Sequence, residues 1–302
     1  MAMLSAIDVV IVGLGLLASA GWALNYEIDT RMKPPETSQA YLQTAGFAGG
    51  FLFALALHSR HSGSWTSPLK LLLLSAVFWC ASENLDLASG GLIFGEHPWD
   101  IERMQVPLLG SMPVQQPFAL QVHVFLSLHF ADIVLALPTS TQSWRPGCFE
   151  CSWGAAALKA LPRAALAAAF ATALDAAAEP AWLSLRLYSY SACQGQDGYC
   201  ILGVDPKNYV AWFAVMGSCY VCFHFWDGLP TARSAGAPPT TPRLLTAAPF
   251  LAWAAQLVWY ANLIRHAGGG IGLQLNSLLV GALPLLVAGC CAAAGSARQK
   301  SA

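Results

Sequence analysis

Glu83, Asp86, Asp132 and Asp175 lie inside or at the edge of segments apolar enough to cross a membrane. An ionised carboxylate in hydrocarbon is costly, so such residues face a protein interior or a wet cavity and by default mark a functional site. Glu83 and Asp86 are three residues apart and share a helix face. Neither Glu83 nor Asp175 has a cationic residue one turn away. A carboxyl group in a low-dielectric pocket favours its neutral form. Such an acid can protonate an isolated alkene and leave a tertiary carbocation. Aromatic faces stabilise the cation, and a second carboxylate holds or deprotonates an attacking water. Glu83 and Asp175 are therefore expected to be the acid–base pair, with the donor unassigned, and Asp86 to tune Glu83. Asp132 is read instead as a structural partner of His129.

These groups need a helical frame. The chain has 302 residues, 56% hydrophobic and only 10% charged, where a soluble domain carries about 25% charged residues. That composition predicts an all-α, polytopic membrane bundle forming one domain over residues 1–302. The net charge of −1 gives no reason to expect a nucleic-acid partner. A span needs roughly 20 mostly apolar residues. Eight segments qualify, near residues 4–24, 41–58, 69–89, 115–137, 155–178, 208–226, 245–264 and 271–294. The first lacks a basic leader and a clear cleavage site, so it is read as a retained helix. The fifth is Ala-rich, which allows close helix approach and a central place. Lys33-Pro34-Pro35, Gly90-Gly91, Pro138 and the stretch from Ala235 to Pro242 punctuate the connections.

Alternating helices put nine Lys and Arg residues on the side of the N-terminus and six on the other. This bias predicts cytoplasmic termini. The opposite side also holds Cys193 and Cys200, which can pair there if that compartment is oxidising. Cys148 and Cys151 form a lone CxxC, which is weak evidence for a metal or redox centre.

The same alternation gathers polar residues in the half of the bundle away from the termini. The third segment ends there with Glu83, Asn84 and Asp86, and the fourth starts with Gln115, Gln116, Gln121 and His123. Asp175 and Glu179 end the fifth, and Asn208, Tyr209 and Trp212 open the sixth. Trp259, Tyr260 and Asn262 end the seventh, either as interfacial anchors or as site residues. The other half has little beyond Asp8, His129 and Asp132. No HExxH, histidine box, Walker A or DDxxD motif is present, and no cofactor is expected.

Two stretches carry a family resemblance. The first runs from Glu83-Asn84-Leu85-Asp86 through Ser89-Gly90 and Phe94-Gly95 to Trp99. The second runs from Asp175 through Trp182, Tyr190 and Tyr199 to Gly203-Val204, Asn208-Tyr209 and Trp212. Together they resemble the carotenoid biosynthesis membrane proteins typified by carotenoid 1′,2′-hydratases. The pattern departs at Ala176, Asp205, Asp86 and His97, where the family has proline, proline, glycine and tyrosine. The resemblance implies a carotenoid substrate and water addition at a terminal isopropylidene double bond, without metal or redox cofactor. On this reading Asn208 and Tyr209 position water, and His123 acts as partner or relay. Trp182, Trp212 and Tyr199 line the pocket, with Asn84 and Gln121 as further contacts.

Three rivals use the same residues differently. A membrane terpenoid cyclase would trap the cation with an internal alkene. A transporter or lipid- or pigment-binding protein would use the acids to move protons or hold its cargo, and a structural subunit would bind pigment without turnover.

Overall fold

The computed structural model describes residues 9–10, 13, 15, 49–59, 64–100, 108–113, 116–135, 153–194, 199–228 and 243–301. The described chain is all-helical. Helix α1 covers Gly49–Ser59. It is followed by α2 (Thr66–Ala88), α3 (Gln116–Val134), α4 (Trp153–Ser184), α5 (Pro206–Gly228), α6 (Arg243–His266) and α7 (Ile271–Ser301). Among the described residues the only strands are two-residue elements, β1 (Leu108–Leu109) and β2 (Met112–Pro113), paired antiparallel with Leu109 opposite Met112.

Five helices are long and apolar enough to cross a membrane: α2, α5 and most of α4, α6 and α7. Helix α1 and the Leu120–Val134 part of α3 are shorter apolar helices. The described residues thus establish five such helices, not eight. The expected segment at 4–24 lies outside them apart from four positions. Asp8, Gln115, Cys148, Cys151, Lys33-Pro34-Pro35, Pro138 and the Ala235–Pro242 connection also lie outside the described residues.

The Ala-rich α4 packs against α3, α5, α6 and α7, which makes it the central helix. It was expected to stop near residue 178 but runs through Pro180 to Ser184. Ala177, Ala178 and Ala181 are fully buried there. Tertiary packing therefore carries the helix past a residue that cannot donate its ladder bond. Ser184 Oγ closes the final turn on the Pro180 carbonyl at 2.7 Å. Small residues bring α7 close as well. A Cβ on Gly281 would collide with Leu257 of α6 and press on Ala177 of α4. Polar links seal the contact, from Ser277 Oγ to the Ala177 carbonyl (2.6 Å) and from Trp253 Nε1 to the Gly281 carbonyl (2.8 Å).

Two connections cover the end of the bundle where α2 and α4 finish. Gly90 and Gly91 follow α2 with φ of 69° and 84°, a turn that costs other residues strain. The segment after them pairs with the segment after α4: Trp99 bridges Tyr188, Asp100 N–H donates to Leu187, and Ser191 N–H donates to Glu96. Cys193 and Cys200 form a disulfide that closes the loop leading to α5.

The opposite end holds more charge than the sequence suggests. Asp132 is held from another helix. Arg163 of α4 grips it in a fork, with Nε to Oδ1 at 2.6 Å and Nη2 to Oδ2 at 2.9 Å. Asp227 accepts from Ser67 Oγ at 3.0 Å and lies 3.5 Å from Lys70 Nζ. The partners come from other helices, so neighbours in sequence could not reveal them.

Candidate active site

Glu83 and Asp175 line one cavity between α2, α3, α4, α5 and α6. The cavity offers about 100 Å³ to the centre of a water-sized occupant. Glu83 reaches it from the last turns of α2 and is 1% exposed, while Asp175 reaches it from α4 and is 4% exposed. Glu179 lines the same cavity. It stands four residues after Asp175, one turn along the same face of α4. The continuation of α4 through Pro180 is what keeps Glu179 inside.

Glu83 is clamped from the covering loop. Its Oε1 lies 3.0 Å from His97 Nε2 and accepts from Trp99 Nε1 at 3.0 Å. The other ring nitrogen of His97 lies 2.6 Å from the Gly95 carbonyl. Burial alone would push His97 down. The hydrogen bond and charge of Glu83, the Gly95 carbonyl and the charge of Glu179 outweigh it and raise the imidazole to about 9. His97 therefore holds its proton at neutral pH, set against Glu83.

The acids of α4 have separate partners. Asn208 Nδ2 of α5 donates to Asp175 Oδ2 at 3.0 Å. Tyr190 donates to Glu179 Oε2 at 3.4 Å, and Tyr188 also hydrogen-bonds Glu179. Burial first, and then the Glu179 charge, push both phenols well above the usual tyrosine value, so they remain donors. Two like charges one turn apart in such a cavity repel strongly, which favours a proton shared between them.

Aromatic rings form the walls. Trp79 meets Trp212 at 4.6 Å between centroids and Phe94 at 5.3 Å. Trp182 meets Trp259 at 5.4 Å and Tyr260 at 5.8 Å, edge-on. His123 Nε2 is 2.9 Å from the Tyr260 hydroxyl. Glu83, Asp175, Asn208, His123, Trp182 and Trp212 thus converge as a set.

The remaining expected site residues do not reach the cavity. Asp86 turns away from it: its Oδ1 accepts the backbone N–H groups of Ile93 and Phe94. Its Oδ2 lies 3.6 Å from His97 Nδ1. Asp86 is thus a loop-holding residue that also backs His97. Asn84 does similar work on the β1–β2 turn, donating to the Leu109 carbonyl and accepting from the Ser111 N–H. Gln121 accepts from Ser75 and donates to the Pro117 carbonyl. Tyr209 donates to the Ile201 carbonyl, and Tyr199 is 79% exposed.

Sequence reasoning missed Glu179, His97, Trp99, Tyr188 and Gln256 as site residues, and left Trp259 and Tyr260 between anchor and site. The four-residue spacing of Asp175 and Glu179 was an available signal. Among the described residues, no group of three His, Cys, Asp or Glu side chains is arranged to hold a metal ion. No family model, curated protein or solved structure matches the chain.

Proposed function

We propose that this chain is a multi-pass integral membrane enzyme that adds water to an alkene of an apolar polyene or terpenoid by acid catalysis. The observation that carries the reading is the meeting of three buried carboxyl groups in one aromatic-walled cavity. The Asp175–Glu179 pair holds the proton and delivers it to the alkene carbon, while the π bond supplies the electrons of the new C–H bond. A tertiary cation remains, faced by Trp79, Trp182 and Trp212. Glu83, held by His97 and Trp99, stabilises the cation and accepts a proton from the water that attacks it. The C–O bond forms, one water is consumed, and proton exchange between Glu83 and the pair resets the site.

The resemblance to carotenoid 1′,2′-hydratases supplies the substrate class, a long polyene with a terminal isopropylidene group. If the chain has the eight spans and cytoplasmic termini that its sequence predicts, the acid cluster lies near the opposite face, together with the Cys193–Cys200 disulfide, which is stable in an oxidising compartment.

The test is product mass after expression in lycopene-producing cells, with Glu83→Gln as control. A gain of one water per modified end, lost in the control, supports the hydratase. An isomeric product points to a cyclase, and unchanged lycopene counts against both.

A further inference from the structure

The cavity has a second polar pole besides the acids. Trp79 lies one turn before Glu83 on the cavity side of α2, Gln256 one turn before Tyr260 on α6, and His123 in the second turn of α3. Contacts tie them into one neighbourhood. Trp79 and His123 both face Trp212, at 4.6 and 6.5 Å between centroids. His123 bonds Tyr260 on the helix that carries Gln256.

Each of the three has a buried polar atom without a hydrogen-bond partner: Trp79 Nε1, His123 Nδ1 and Gln256 Oε1. The residues are 6%, 7% and 2% exposed. Most buried polar atoms in folded proteins are satisfied, so three such atoms on residues that line one cavity call for a ligand or water. Their chemistry narrows the choice. Trp79 Nε1 only donates and Gln256 Oε1 only accepts. Among the described residues no Lys or Arg lines the cavity, and three carboxyl groups do, so a carboxylate or phosphate is disfavoured there. A ketone would leave Gln256 unanswered. A hydroxyl group both accepts and donates, and so answers both residues.

We propose that Trp79, His123 and Gln256 form a hydroxyl-binding pole that holds the alcohol oxygen of an isoprenoid ligand. The inference rests on the hydratase reading and deepens it: the tertiary alcohol made at the acid pole is retained by its own oxygen at this one. It also puts the oxygen at a wall distinct from Asn208, which is engaged with Asp175. A substrate that already carries a hydroxyl near its reacting end would use the same pole.

The test is ligand retention by the purified full-length protein in detergent micelles, quantified by mass spectrometry. The probes are a twenty-carbon isoprenoid tertiary alcohol and the matched hydrocarbon. The native protein is expected to prefer the alcohol by about tenfold, the worth of one good hydrogen bond. Gln256→Leu and Trp79→Phe should each erase most of that preference while hydrocarbon binding persists, which also shows that the variants are folded. Equal binding of both probes by the native protein would overturn the proposal and leave a pole that holds water only. A preference that survives both substitutions would overturn it as well. Binding of neither probe would sink the polyene reading together with this inference, a result distinct from equal binding.

Discussion

His97 Nε2 lies 3.0 Å from Glu83 Oε1, so the loop after α2 returns a cation to the acid near the end of that helix. Because the folded state raises the imidazole from an ordinary 6.5 to about 9, it binds that proton more tightly than the unfolded chain does. The stabilisation is full below pH about 6.5, declines as pH rises, and is gone once pH passes about 9. Thermal unfolding in detergent, followed across that window, should show a falling midpoint. His97→Gln should lower stability by about 1–3 kcal/mol at neutral pH and flatten the curve. An unchanged slope in the variant would remove His97 as the titrating group.

Asp175 and Glu179 act as one unit if they share the proton that is delivered. Asp175→Asn and Glu179→Gln should each reduce turnover by about a hundredfold or more. The double substitution should cost little beyond either one, because each already removes the shared proton. Initial rates of the three variants check this. Fully multiplicative losses would mean separate roles.

The Asp132–Arg163 fork sits away from the proposed chemistry. Arg163→Met leaves a carboxylate unpaired and should destabilise the protein by about 3 kcal/mol. Replacing both, with Asp132→Leu added, should restore most of that loss. Unfolding midpoints decide the matter, and turnover per folded molecule should stay near native in the double variant. A double variant as unstable as the single one would count against the pairing.

Cys193 and Cys200 close a short loop between the tyrosines on Glu179 and the asparagine on Asp175. Cys193→Ser should cost about 2 kcal/mol through the freedom returned to the unfolded loop. Reductant should lower the midpoint of the native protein and leave that of the variant unchanged. Equal sensitivity to reductant would place its action elsewhere.

Glu83 and Asp175 were legible because an acid inside an apolar helix stands out from its surroundings. The pooling of polar residues in one half of the bundle followed from counting helix directions. Glu179 was less visible, since a charge expected just past a helix end resembles an interfacial residue. Only packing around Ala177, Ala178 and Ala181 extends α4 far enough to bury it. His97, Trp99, Tyr188 and Tyr190 come from loops whose path depends on tertiary pairing, such as the Trp99–Tyr188 bridge. Asp86 misled because its spacing from Glu83 assumes both carboxylates turn the same way. The helix ends at Ala88, and the free N–H groups of Ile93 and Phe94 draw Asp86 toward the loop.

The most direct test of the central claim follows a proton to carbon. Membranes containing the protein would be incubated with lycopene in deuterium oxide and the product analysed by mass spectrometry. The account predicts one added water and one non-exchangeable deuteron on carbon per modified end, with neither in Glu83→Gln. Hydrated product without carbon-bound deuterium, or full activity in Glu83→Gln, would contradict it.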